Sequence, residues 1–157
     1  TCSLFFEKEP AEINNLTKGP RNISAPLLTK PALTVSILQG LIIALLCLSV
    51  YYYFMQAGFR QIAVRTFVFH TLILSNLFLT FVNRSFIETI NKTILYKNKL
   101  TPFVLGISIT FIILLLLSPR VQAIFELQKL SPAQFALCFT AAVFAAGWFE
   151  VYKKLSR

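Results

Sequence analysis

The chain has 157 residues, of which 56% are hydrophobic and 13% charged, and its formal net charge is +9. A water-soluble domain of this length cannot bury so much apolar surface in a single core, so the composition excludes an ordinary soluble protein. The basic residues lie between apolar segments, and membrane topology therefore explains the positive charge better than a nucleic-acid partner does.

Four apolar segments follow a polar amino-terminal region. Residues 1–31 contain four prolines and three glutamates, a composition that predicts an extended cytoplasmic segment. Each apolar run is close to the ~20 residues that cross ~30 Å of hydrocarbon. We therefore predict an all-α fold, in which residues 32–157 form a polytopic four-helix transmembrane bundle. The predicted spans are residues 33–55, 63–82, 102–117 and 132–152.

Glycine and proline mark the ends of these spans. A short connection around Gly58 predicts that the first two helices form an antiparallel hairpin. Ser118-Pro119 should end the third helix, because proline lacks an amide proton and clashes with the preceding turn. Pro132 is favourable as a first helical residue and should begin the fourth helix.

The distribution of lysine and arginine predicts the orientation. Residues 1–31, the loop 83–100 and the carboxyl-terminal tail carry eleven basic residues, whereas the two loops on the opposite side carry four. Short cytoplasmic loops are enriched in basic residues, so both termini are expected in the cytoplasm. We expect the chain to reside in the plasma membrane.

Catalytic chemistry is not indicated by the sequence. The chain contains no aspartate, and Glu150, close to a predicted cytoplasmic end, is the one glutamate within a span. The sequence also contains no phosphate-binding glycine-rich loop, catalytic triad or metal-ligand cluster. We therefore predict that this chain alone is not an enzyme and binds no cofactor. A proton- or sodium-coupled carrier needs an ionisable group at membrane depth, which none of the carboxylates provides.

The second span holds the densest polar pattern inside the membrane. Its members are Thr71, Ser75, Asn76 and Thr80, which we expect along one broad helical face. Two interpretations remain open. These side chains hydrogen-bond a neighbouring helix, or Asn76 supplies an amide oxygen to a cation, with Ser75 and Thr80 as weaker candidates.

Polar residues elsewhere in the spans indicate helix packing. The single histidine, His70, is interpreted as a packing or interhelical hydrogen-bonding residue rather than a proton relay. Gln39 and Gly40 interrupt the apolar run of the first span, and glycine allows a neighbouring backbone to come close. These features predict that the first helix packs against a partner helix.

Short motifs occur in a recognisable order along essentially the whole chain. They comprise Leu4–Glu12, Leu16 and Gly19–Arg21, then Thr71–Phe78 and Asn83–Ser85, and finally Ser118-Pro119, Ile124-Phe125, Leu130-Ser131, Glu150 and Lys153-Lys154. This order resembles that of the calcium-type cation-transporting P-type ATPases, from the loop after the sixth transmembrane helix through helices seven to ten.

The resemblance implies that the chain is the carboxy-terminal membrane domain of such a pump. The four helices would brace the ion-translocating helices, and the second span, as the eighth helix, would contribute to the ion path. The implied partners are the remaining transmembrane helices and cytoplasmic domains of the parent pump, the lipid bilayer, and a transported cation, calcium or another. ATP and Mg²⁺ are implied only for the full-length parent.

The resemblance also bears on the ion contact in the second span. Some calcium pumps carry a glutamate in the eighth helix, and two registers place either Ile73 or Asn76 at that position here. Neither residue is acidic, which implies fewer ion sites than in two-site calcium pumps or a different cation. Asn76 is the best single candidate for an ion contact.

A different class of protein is the alternative. The chain would then be a complete small four-helix membrane protein, acting as an oligomeric channel or carrier or as an accessory subunit. It begins at Thr1 without an initiator methionine or a signal sequence. We therefore expect a fragment of a longer polypeptide rather than this alternative.

Overall fold

The computed structural model describes residues 30–83 and 101–155. These two stretches are helical and contain no strands. Their helices are α1 (Lys30–Gln56), α2 (Gln61–Val82), α3 (Thr101–Leu117), α4 (Pro119–Ile124) and α5 (Pro132–Leu155). Most of the predicted cytoplasmic segment 1–31 and of the basic loop 83–100 lies outside the described residues, so the predicted orientation is not tested by the helices.

Several helices have the length and composition of membrane spans. Within the described stretches, three are long and apolar enough to cross a membrane, namely α1 from Leu33 onward, α2 and α5. The apolar helix α3 has 17 residues, about 25 Å at 1.5 Å per residue, which is the lower limit for a transmembrane helix. The all-helical membrane architecture is confirmed, and the fourth span stays a prediction.

A glycine-centred turn joins α1 to α2. Gly58 has a φ of 78°, a left-handed conformation that glycine adopts without a steric penalty. The Phe59 amide donates to the carbonyl of Phe54 and the Gly58 amide to that of Met55, each over 3.1 Å. These are the two hydrogen bonds of a Schellman motif. The rings of Phe54 and Phe59 also meet edge to face, with centroids 5.2 Å apart, and close the turn.

Two side-chain amides hold the open end of this helix pair together. Gln39 Nε2 donates to Asn83 Oδ1 over 2.8 Å, and Asn83 Nδ2 donates to Gln39 Oε1 over 3.0 Å. Gln39 lies early in α1 and Asn83 follows α2, so the two helices are antiparallel and the predicted hairpin is confirmed. Gln39 is buried, where an unpaired amide would be costly.

The predicted proline break separates α3 from α4. Ser118 is extended, with φ −93° and ψ 110°, and Pro119 is the first residue of α4. Because Pro119 has no amide proton, it cannot bond the carbonyl of Leu115. The side chain of Gln122 replaces the missing donor, since its Nε2 lies 3.0 Å from the carbonyl oxygens of both Leu115 and Leu116.

The connection between α4 and α5 is fastened to the start of α2. Glu126 has a φ of 50°, which is unfavourable for a residue with a side chain. Arg65 holds it through an ion pair of 2.7 Å with the carboxylate and a hydrogen bond of 2.7 Å to the carbonyl oxygen. The neighbouring Thr66 hydroxyl accepts a hydrogen bond of 3.0 Å from the Gln128 amide.

A capping box starts α5. The Ser131 amide donates to Gln134 Oε1 over 2.8 Å, and the Gln134 amide donates to Ser131 Oγ over 3.3 Å. This reciprocal pattern satisfies two donors that the first helical turn would otherwise leave unpaired. Pro132 lies between them as the first helical residue, as predicted.

The helix α2 is the centre of the bundle and packs mainly against α5, and also against α1. Three small residues of α5, Ala142, Ala145 and Ala146, are buried. Small side chains let two helix backbones approach closely in a membrane, where van der Waals packing replaces the hydrophobic effect. α2 therefore lies between α5 and α1, and these two helices cover only the sides of α2 that face them.

Candidate functional site

The polar residues of α2 occupy two different sides of the helix. An α-helix turns by about 100° per residue, so Ser75 lies about 40° from Thr71, whereas Asn76 lies about 140° and Thr80 about 180° from it. Thr71, Ser75 and Thr80 are buried, whereas Asn76 is exposed. The expectation of one broad polar face is therefore wrong, and the four residues form two pairs.

The inner side carries His70, Thr71 and Ser75. His70 Nδ1 lies 2.9 Å from the carbonyl oxygen of Thr66. Because a carbonyl only accepts, Nδ1 carries the proton of this hydrogen bond. Among the described residues, His70 Nε2 and the Ser75 hydroxyl have no hydrogen-bond partner. The inner side packs against α5, where the Thr71 side chain and the backbone carbonyl of Phe67 both meet the Cys138 thiol, so hydrogen bonding to a neighbouring helix stays an open interpretation.

The outer side carries Asn76 and Thr80. The Thr80 hydroxyl donates to the backbone carbonyl of Asn76 over 2.9 Å. Both residues line a cavity of about 180 Å³ between α2 and α3, together with Ser108 of α3. The structure thus brings Asn76 and Thr80 together and places Ser75 elsewhere.

The chemistry of this cavity is that of neutral oxygen donors. An amide oxygen and two hydroxyl oxygens are ligands that hard cations accept. The rest of its lining is apolar, from Ile73, Leu77, Phe81, Val104 and Phe111. A cation here would need its counter-charge from another part of the protein, since a bare charge in an apolar site is strongly unfavourable. The cavity can therefore contribute to an ion site but cannot complete one.

Ser108 was missed by sequence reasoning. It is a small polar residue within the apolar run of α3, and such residues are commonly helix-packing positions. Its relation to Asn76 follows only from the packing of α3 beside α2. A small polar residue near the middle of a mostly apolar span is the sequence signal that points to it, and Thr110 carries the same signal.

A second polar cluster lies at the carboxyl ends of α2 and α5. Lys153 is buried, and its ammonium group donates to the backbone carbonyl of Val82 and to Glu150 Oε1, the latter over 2.9 Å. The same ammonium lies 5.0 Å from the centre of the Phe149 ring. Sequence reasoning counted Lys153 as a basic residue of the tail and as part of the Lys153-Lys154 motif, because nothing local distinguishes it from its neighbour Lys154.

These features define the class of protein. Apolar helices of membrane-spanning length, with polar contacts buried between them and Asn76 of α2 exposed, make an integral membrane helical bundle. The chain belongs to the family described as cation transporting ATPase, C-terminus, whose model matches residues 1–155. The resemblance to cation-transporting P-type ATPases is thereby confirmed. A comparison with curated proteins found no match.

Proposed function

We propose that this chain is the membrane support domain of a calcium-type cation-transporting P-type ATPase. The helices α1, α2, α3 and α5 correspond to helices seven to ten of the pump and brace its ion-translocating helices. ATP and Mg²⁺ bind to other parts of the polypeptide, which also hold the phosphorylated aspartate, so this chain is not catalytic alone. Family membership supports the assignment to a cation-transporting pump, and the order of the motifs supports the calcium type.

The proposed topology has four spans in the plasma membrane, with both termini in the cytoplasm. The excess of basic residues in the terminal segments and the loop 83–100 supports this orientation. The closed turn at Gly58 joins α1 to α2, and in this proposal it lies on the opposite side of the membrane. The proline break after Leu117 allows α3 to end at the same side, although it is shorter than the others.

The exposure of Asn76 carries the proposal that α2 contributes to the ion path. The other side of α2 is occupied by α5 and α1, whereas Asn76 is not covered within the described part of the chain. An exposed amide in lipid would be unfavourable, so this position suits contact with further helices of a larger protein. Asn76 with Thr80 and Ser108 then supplies neutral oxygens beside the translocating helices.

The surface of α1 supports a bracing role. Of its described side chains, only Gln39 and Ile43 are buried. The large apolar residues around them are exposed, including Leu41 and Leu48. A helix with so little contact inside its own chain offers most of its surface to lipid and to other helices of the pump.

Replacing Asn76 by alanine tests the ion-path role. In the purified full-length polypeptide, Asn76→Ala is expected to raise the Ca²⁺ concentration that half-activates ATP hydrolysis roughly tenfold, which corresponds to a loss of about 1.4 kcal/mol. The maximal rate should change less, because the catalytic domain is untouched. The measurement is a Ca²⁺ titration of ATP hydrolysis in lipid vesicles.

Ser75→Ala is the matched control, since Ser75 is adjacent in sequence but buried on the inner side of α2. It should leave the half-activating Ca²⁺ concentration within about twofold of the unmodified pump. An Asn76→Ala pump that titrates like the unmodified one would contradict a role of α2 in the ion path. A pump that Ca²⁺ does not activate would contradict the calcium type.

A further inference from the structure

The buried end of α5 reaches the last turn of α2. Lys153 is 3% exposed, although it is a lysine close to the end of a helix, and its ammonium donates to the carbonyl oxygen of Val82, the last residue of α2. The adjacent Lys154 is exposed. Two neighbouring lysines of the same helix therefore have opposite environments, and only one of them contacts α2.

The contact has a direct physical basis. The last carbonyl groups of a helix have no partner within that helix, and they form the negative end of its dipole. A buried ammonium satisfies such a carbonyl and neutralises the partial charge. Glu150, three residues earlier on α5, forms an ion pair of 2.9 Å with the same ammonium group.

Apolar and amide contacts surround this interaction. Val82, Ala146 and Phe149 form a small buried cluster under the ammonium group. Next to Val82, Asn83 is bound to Gln39 of α1 by the reciprocal amide pair. The carboxyl end of α2 is thus attached to both of its neighbouring helices at one level of the bundle.

We infer that Lys153 is a positioning residue, which fixes the carboxyl end of α2 and thereby sets the position of Asn76. Val82 is the sixth residue after Asn76, which is about 9 Å along the helix axis. A helix transmits an axial shift along its length. Loss of the Lys153 contact therefore shifts or loosens Asn76 and Thr80, the oxygen donors on the outer side of α2. The inference rests on the proposed function, since only an ion-path role of α2 makes this position matter for transport.

The experiment compares three variants of the full-length polypeptide in lipid vesicles. Lys153→Met removes the charge at nearly constant length, Lys153→Arg retains charge and donors, and Lys154→Met is the exposed control. Lys153→Met should weaken the apparent Ca²⁺ affinity roughly five- to tenfold, with a smaller change in maximal rate. Lys153→Arg should restore most of the affinity, and Lys154→Met should behave as the unmodified pump.

Backbone hydrogen exchange supplies a readout independent of transport. Lys153→Met should accelerate exchange of the amides in the last turn of α2, residues 79–82, while Lys154→Met should not. If Lys153→Met does not reach the membrane, Glu150→Gln takes its place and should produce a weaker change in the same direction. Unchanged exchange in the last turn of α2 would overturn the inference.

The two proposals fail in different ways. Faster exchange without a loss of Ca²⁺ affinity in Lys153→Met, while Asn76→Ala retains its effect, would overturn the positioning role alone. Unchanged Ca²⁺ affinity in both Lys153→Met and Asn76→Ala would instead contradict the proposed role of α2 in the ion path. The positioning role depends on that role and would be contradicted as well.

Discussion

Phe67→Ala is expected to loosen the hairpin of α1 and α2 by about 2 kcal/mol. Phe67 is fully buried, its ring stacks on that of Phe54 at 4.1 Å, and it meets Phe59 edge to face at 5.8 Å. Truncating a buried phenylalanine costs about 3–5 kcal/mol in soluble proteins. In lipid the separated helices remain in apolar surroundings. We therefore expect the substitution to cost only the lost packing energy and not the full transfer energy.

Hydrogen exchange measures this loss in the full-length polypeptide. A change of about 2 kcal/mol corresponds to roughly 30-fold faster exchange of the amides around Phe67, if these amides exchange by local opening. Phe144→Ala is the control, because Phe144 is a phenylalanine of α5 that is 79% exposed. Equal effects of the two substitutions would show that the three-ring cluster does not hold the turn together.

Ala142→Leu is expected to force α2 and α5 apart. Ala142 is fully buried in the α5 surface that packs on α2, and extra methyl groups in a packed site cost about 1–3 kcal/mol. One turn earlier, Cys138 is buried, with its thiol 3.6 Å from the carbonyl oxygen of Phe67. Separation of the two helices should therefore expose this thiol.

The rate at which a membrane-permeant maleimide labels Cys138, determined by peptide mass spectrometry, tests this expectation. Labelling should accelerate roughly tenfold or more in Ala142→Leu, in line with a cost above about 1.4 kcal/mol. Val143→Leu adds bulk at the adjacent exposed position and should leave the rate unchanged. Slow labelling in Ala142→Leu would contradict close packing of α5 on α2.

Local sequence signals predicted the helix ends well because the chemistry of a helix end is local. Gly58 provides the left-handed residue of a Schellman motif, Pro119 removes an amide proton, and Pro132 follows a serine that completes a capping box. Each feature depends on residues within one turn. The left-handed Glu126 is the exception, because a distant arginine, Arg65, stabilises it.

The candidate site was less predictable because it depends on which helix sides meet. The spacing of polar residues in α2 was misjudged, since nine residues from Thr71 to Thr80 correspond to about half a turn beyond two full turns. Burial of Lys153 depends on the end of α2, which lies 71 residues away in the chain. Gln39 was identified as a packing residue, but its partner, 44 residues away, could not be.

The nucleotide sequence upstream of the codon for Thr1 tests the central claim most directly. The account predicts an open frame that continues upstream into a long polypeptide, with an Asp-Lys-Thr-Gly phosphorylation motif and a sixth transmembrane helix bearing asparagine and aspartate. A start codon immediately before Thr1, preceded in frame by a stop codon, would contradict it. The chain would then act as a small membrane protein, and the ion-path role of Asn76 within a larger pump would be lost.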